Sequence, residues 1–331
     1  MATTGILERL RDDIVLGDGG YVLELEKRGY VQAGPFTPEV TVENPEAVLE
    51  LSREFVDAGA EVIQAMAFYG DRGKLETVGY GGRAGEINRA AVELARQAAG
   101  DRALVAGNLS LTWQYDPADS TSRDRVRALL DEQLGHQLEV GIDFIIAETF
   151  EYLGEAVIAA EFGSRTGLPI MVTMSFGDAP ETRDGKTPAE CARALADAGA
   201  DIVGTNCLRG PQHILPIVEE MRAATDAYIG VQAPAYRTTD ATRFFTGLKG
   251  FPDAMEPYQL TRWEMADYAR QAKALGANFI GACCGAVAVH IREMARALDK
   301  PTREPSRWTP DPTRAMSATE HYRDRRAASV D

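Results

Sequence analysis

Cysteine is scarce in this 331-residue chain: there are four, and two of them are adjacent. A disulfide framework needs more cysteines at wider spacing, so that class is excluded. Adjacent thiols in a reducing compartment point instead to metal or redox chemistry. Long apolar runs are also missing, and no stretch approaches the ~20 residues that cross a bilayer. Residues 1–14 carry Arg and Asp between their apolar positions. They lack the uninterrupted core of a secretory signal, so a cytoplasmic location is expected. Positive charge is short as well: 35 Lys and Arg against 50 Asp and Glu give a formal charge of -15. Without basic clusters to neutralise phosphates, nucleic-acid binding is excluded. The expected partners are small molecules. Acidity suits a cationic one, although local charge rather than net charge sets a site.

What is present is an ordinary globular composition, 45% hydrophobic and 26% charged. Eight short runs rich in Val and Ile alternate with longer amphipathic stretches. They cover 14–20, 61–68, 103–110, 144–150, 169–176, 202–207, 228–235 and 279–285. Helical segments are expected at 45–58, 85–99, 123–140, 188–198, 211–224 and 262–275, among others. Asn44 and Thr187 each precede a proline, the arrangement of a capping side chain before the first helical residue. Gly59, Gly199 and Gly276 each stop a helix just before a strand. Eight such repeats fit an α/β fold of the closed (β/α)8 kind, a TIM barrel, better than an open doubly wound sheet. Residues 1–300 are expected to form that single barrel. Residues 301–331 lose the apolar period. They read either as a frayed extension or as an arm that docks a second copy through Trp308, Met316 and Tyr322, making a homo-oligomer.

Three cysteines stand at expected strand ends: Cys207, Cys283 and Cys284. In a barrel those ends share one face, so thiols more than seventy residues apart can converge. Isolated cysteines are commonly small buried hydrophobes, and that reading competes. A disulfide between neighbours is strained and lacks the usual two-residue spacer. Zn2+ suits three thiolates because it accepts sulfur, has no redox chemistry and takes four ligands. Three protein ligands leave one position, which suits an external thiol held as thiolate. Cys191 falls on a helix and reads as filling. His136, His213, His290 and His321 lie mostly in helical stretches and are not expected to bind metal.

Gly17-Asp18-Gly19-Gly20 ends the first run and offers a carboxylate for an ammonium, with backbone N–H groups for a carboxylate. Glu148 offers a second acid for the same ammonium; its competing reading is a solvated charge at a strand tip. Phe36, Phe68, Tyr69, Trp113 and Tyr115 cluster where loops begin. Facing a metal, their rings would hold a cationic methyl donor.

At this point the chain resembles the homocysteine S-methyltransferase family, its betaine-type members most closely. The likeness runs from Gly5-Ile6-Leu7-Glu8-Arg9-Leu10 to about residue 300. It includes Gly17-Asp18-Gly19-Gly20, Leu25-Glu26-Lys27-Arg28-Gly29-Tyr30, Lys74-Leu75-Glu76, Glu256-Pro257, Thr261-Arg262-Trp263 and Gly281 to Gly285. The resemblance implies a (β/α)8 barrel that moves a methyl group from an onium donor, such as glycine betaine, to homocysteine, giving methionine. It implies Cys207, Cys283 and Cys284 as zinc ligands, with Tyr69 completing the shell before the thiol arrives. Asp18 and Glu148 fall on acids that bind homocysteine, Gly19 and Gly20 on its backbone contacts, and Phe68 on an aromatic of the donor pocket. Two positions depart. Phe36 stands where the family pattern has tryptophan, and Thr149 where it has tyrosine. Both fall on the donor side, which places a sulfonium or another quaternary amine beside betaine as the expected donor. The competing readings are a zinc-bearing thiol sensor without turnover, and a homocysteine module served by a folate or corrinoid partner.

Overall fold

A computed structural model describes residues 4–32, 34–303, 313 and 315–327. Eight parallel strands are joined in the order β1-β8-β7-β6-β5-β4-β3-β2. They are β1 (Val15–Leu16), β2 (Val62–Gln64), β3 (Leu104–Ser110), β4 (Phe144–Phe150), β5 (Ile170–Met174), β6 (Ile202–Asn206), β7 (Tyr228–Ala233) and β8 (Phe279–Ala282). The remaining seam, between β1 and β2, is closed by Glu61. Its main-chain N–H donates to the Leu16 carbonyl at 2.8 Å, and its carboxylate accepts from the Leu16 N–H at 3.0 Å. The expected barrel is what forms.

A helix follows each strand: α1 (Pro45–Ala58), α2 (Ala84–Ala99), α3 (Ser122–Val140), α4 (Leu153–Ser164), α5 (Pro188–Asp197), α6 (Pro211–Ala224), α7 (Arg262–Ala274) and α8 (Ala288–Ala297). The three glycine stops hold. Gly59, Gly199 and Gly276 all have positive φ. Each lets the next N–H reach back into the last turn, as Ala60 does to the Phe55 carbonyl at 3.0 Å. Thr187 caps α5 through its hydroxyl, with Glu190 answering it. Asn44 is a correction: its side chain makes no cap, because its backbone is already ending the short helix Val40–Glu43.

Strand period decides what fills the barrel. Side chains two apart share a face, so Phe144, Ile146 and Glu148 all point inward. The lower interior is apolar and includes Val62, Leu104, Ala106, Phe144, Ile146, Met171, Ile202 and Phe279. Ile6 and Leu10 of the helix Ile6–Asp12 pack into the same cluster and plug that end. One step up, the inward positions turn polar: Gln64, Asn108, Glu148, Asn206 and Gln232 are all buried. This polar layer forms the floor of the mouth built by the strand-to-helix loops.

Part of the proposed docking arm, Trp308 included, lies outside the described residues. Met316 and Tyr322 are exposed on the remaining tail.

Candidate metal centre and substrate cavity

The three cysteines sit just past the strands that aim them. Cys207 follows β6, and its N–H donates to the Gln232 carbonyl on β7 at 2.9 Å. Its φ is 57° and that of Leu208 is 47°. The turn is pinned by buried Arg209, which donates to the carbonyls of Gly177 and Asp178. Cys283 and Cys284 follow β8, and the Cys283 N–H donates to the Ala233 carbonyl at 2.9 Å. The sulfurs of Cys207 and Cys284 lie 3.9 Å apart, and those of Cys283 and Cys284 3.8 Å. All three sulfurs lie within 4.8 Å of one another.

That spacing can be tested against a metal. Tetrahedral Zn–S bonds of about 2.3 Å put neighbouring sulfurs about 3.8 Å apart. The observed separations match, and among the described residues this is the one Cys, His, Asp or Glu cluster with such geometry. Hydrogen bonding among the three sulfurs, and then burial, holds all three thiols well above the ordinary cysteine range.

Gly20 makes the Cys283–Cys284 turn fit. A Cβ there would stand 2.6 Å from the Cys283 carbonyl oxygen and 3.0 Å from the Cys284 Cα, both backbone atoms. Gly20→Ala is therefore expected to displace two sulfurs and weaken metal affinity about 10- to 100-fold, read by chelator competition. Gly82→Ala is the control, since a Cβ there meets nothing. The Gly20 N–H donates to the Ala286 carbonyl at 3.0 Å, so this backbone donor is spent within the fold. Gly19 is also forced: a Cβ would stand 2.6 Å from the Phe55 ring.

Asp18 and Glu148 are both buried and both line the cavity. Asp18 accepts from the Gln64 N–H at 2.8 Å and the Tyr21 hydroxyl at 2.7 Å. Burial outweighs those bonds and, with repulsion from Glu148, raises its carboxyl to about 7. Glu148 is not a solvated charge at a strand tip. β4 continues to Phe150, and the Glu148 carboxylate is the hub of the polar floor. One oxygen accepts from Gln64 Nε2 and from Asn108 Nδ2, the latter at 2.7 Å. The other accepts from Asn206 Nδ2 at 2.7 Å and the Thr149 hydroxyl at 3.2 Å. Burial raises its proton affinity against these donors. Gln232 Oε1, on the same floor, has no hydrogen-bond partner among the described residues.

The cavity holds about 430 Å3 and brings together the three cysteines, Asp18, Gly19, Gly20, Glu148, Phe36, Phe68 and Tyr69. Its aromatics form two groups. Phe36 packs on Phe251 at 6.2 Å between ring centres, and Phe251 on Phe245 at 5.7 Å. Phe68 packs on Tyr69 at 4.2 Å, and Tyr69 meets Trp113 edge-on at 6.0 Å. Tyr115 is a correction: it leaves the cavity and packs on Tyr152 at 5.5 Å. Thr149 is turned to the acid floor, where its hydroxyl bonds Glu148 and Asn206. Phe36, Tyr69, Trp113, Thr149, Cys207 and Leu208 all line the cavity with positive φ. Left-handed backbone at non-glycine residues costs of order 1–3 kcal/mol each, and strain of this kind gathers at functional sites.

Sequence reasoning missed the amides Gln64, Asn108, Asn206 and Gln232, and also Lys74, Glu151 and Arg183 on the walls. The amides were detectable only by following the two-residue period inward from known strands.

A barrel carrying a metal-competent trio of thiols beside a buried acid floor and aromatic walls defines a site for small cationic ligands with a thiol. The homocysteine S-methyltransferase family model matches residues 15–298, and the chain belongs to that family. It is 44% identical to betaine--homocysteine S-methyltransferase 1 of Rattus norvegicus over 312 residues, 90% of this chain and 75% of the relative. It is 40% identical to the S-methylmethionine--homocysteine S-methyltransferase BHMT2 of the same organism, over 88% of this chain and 81% of the relative. In fold, the metallated form of the homocysteine methyltransferase MmuM from Escherichia coli superposes with a TM-score of 0.71 at 22% identity. That match covers 88% of this chain and 99% of the other. No helix among the described residues is long and apolar enough to cross a membrane.

Proposed function

We propose that this chain is a zinc-dependent S-methyltransferase that moves a methyl group from an onium donor to homocysteine, giving methionine. The observation that carries the reading is the sulfur trio at metal spacing on the wall of a cavity floored by Asp18 and Glu148. Cys207, Cys283 and Cys284 would hold the zinc, and Tyr69 lies on the same wall. When bound, zinc stabilises a guest thiol as the thiolate near neutral pH.

The rest belongs to the protein. Asp18 and Glu148 receive the homocysteine ammonium, and the backbone at Gly19 receives its carboxylate, since the Gly20 N–H is already bonded to the Ala286 carbonyl. Phe36, Phe68 and Tyr69 offer ring faces to the onium group. The methyl then moves by one in-line displacement. A sulfur lone pair forms the S–C bond while the bond from carbon to the onium atom breaks, and its electrons leave with that atom, which becomes neutral. No general base is required, so alignment of three atoms is the protein's main contribution. A cytoplasmic setting and a place in methionine supply fit this reading.

Asp18 gives it a pH signature. Between the ordinary carboxylate range and about 7, the folded chain holds a proton that the unfolded chain has released. Stability is therefore fully present at the acidic end of that window and declines as pH rises through it. An ammonium ligand needs the ionised form. The Asp18 contribution to homocysteine affinity should therefore rise with pH by up to about tenfold per unit below 7, then level off. Asp18→Asn should flatten the part due to this carboxyl, measured as homocysteine binding from about pH 5.5 to 8.5.

The deciding experiment incubates zinc-loaded protein with homocysteine and a panel of donors: glycine betaine, dimethylsulfoniopropionate and S-methylmethionine. Methionine should form, and with Phe36 and Thr149 in place glycine betaine should not be the uniquely best donor. A protein that binds homocysteine but forms no methionine with any donor is a thiol binder instead.

A further inference from the structure

Lys74 lies in the stretch Lys74-Leu75-Glu76, and nothing so far uses it. It belongs to the short helix Arg72–Glu76 after β2, which is capped by Asp71. The Asp71 carboxylate accepts from the Lys74 N–H at 3.0 Å, which fixes where the side chain leaves the backbone. From there the ammonium reaches the cavity wall. Nζ stands 4.4 Å from the centre of the Tyr69 ring and 4.2 Å from that of Trp113. The protein's own cation thus occupies one aromatic wall.

Two cations line the cavity, Lys74 and Arg183. Arg183 is neutralised by Glu151 at 2.6 Å. Lys74 has no carboxylate within ion-pair distance among the described residues, although it is half-buried. An ammonium held partly out of water by ring faces, with Asp71 near but no carboxylate in ion-pair contact, is an anion-binding point.

We propose that Lys74 binds the carboxylate of the methyl donor and makes the enzyme select onium donors that carry one. This rests on the methyl-transfer reading. A bare onium entering the same wall meets a second positive charge, and the two repel. A donor with its own carboxylate brings the missing counter-ion. The homocysteine carboxylate is a poorer candidate, because it sits one carbon from the ammonium held on the floor by Asp18 and Glu148. Lys74 is on the rim, beside the largely exposed Trp113.

The test uses full-length, zinc-loaded wild type, Lys74→Met and Lys74→Arg. Each is assayed with dimethylsulfoniopropionate and with its uncharged amide, taking kcat and KM for donor and for homocysteine. Wild type should prefer the carboxylate by roughly 10- to 100-fold in kcat/KM. Lys74→Met should bring the ratio near one by raising KM for the carboxylate donor, with the homocysteine KM unchanged. Lys74→Arg should keep most of the preference. A Lys74→Met enzyme that still prefers the carboxylate, or one whose homocysteine KM rises instead, overturns the proposal while leaving methyl transfer standing. Wild type that forms no methionine from either compound, nor from glycine betaine or S-methylmethionine, overturns methyl transfer itself, and this inference with it.

Discussion

Replacing any one of Cys207, Cys283 or Cys284 with Ala is expected to empty the site of zinc and lower kcat/KM by about 1000-fold or more. The sulfurs stand 3.8 and 3.9 Å apart around one point, so removing one leaves two sulfurs, and among the described residues no other Cys, His, Asp or Glu cluster offers a replacement. The fold should survive, since all three lie beyond their strands and outside the apolar layer that plugs the barrel. Circular dichroism should be unchanged while metal content and methionine formation both vanish. Cys191→Ala is the opposite case. Cys191 is wholly buried on α5, so its loss should leave a small cavity and cost about 1–2 kcal/mol of stability with zinc retained. A variant lacking one of the three ligands that still holds stoichiometric zinc and turns over would refute the assignment.

Glu148 should show the next largest effect, and it separates structure from recognition. Glu148→Ala strands the buried amides of Gln64, Asn108 and Asn206. At roughly 1–3 kcal/mol for each unpaired donor, the loss is about 3–9 kcal/mol. A domain has only about 5–15 kcal/mol to lose, so this variant should melt far earlier, as differential scanning calorimetry would report. Glu148→Gln keeps the volume but removes the charge and replaces one acceptor with a donor. It should fold, with a homocysteine KM raised about 10- to 100-fold and a donor KM unchanged, because a charged hydrogen bond is worth about 1.5–3 kcal/mol. A rise in donor KM alone would move Glu148 to the other half of the cavity.

Much of the barrel was legible because its punctuation is chemical. Gly59, Gly199 and Gly276 end helices where a left-handed residue is required, and Thr187 before its proline announces α5. Asn44 shows the limit: the same residue before the same proline makes no cap, since a preceding short helix already fixes its backbone. Strand lengths were overestimated at β1 and β8. The turn that carries Cys283 and Cys284 begins where pairing stops, and an apolar run does not mark that point. The cysteines themselves were legible, because few residue types make a soft metal site. The amide ring around Glu148 was not. Gln64, Asn108 and Asn206 come from three strands and share no spacing, so only the closed barrel brings them to one carboxylate. Tyr115 failed for a related reason: loop position says where a side chain starts and not which way it turns.

The central claim is that these three sulfurs take one zinc and leave room for a guest thiol. X-ray absorption at the zinc edge tests it most directly, on the loaded protein with and without homocysteine. Three sulfur neighbours at about 2.3 Å and one lighter atom are expected alone, rising to four sulfurs with homocysteine. A sulfur count below three, or one that does not change when homocysteine is added, would contradict the account.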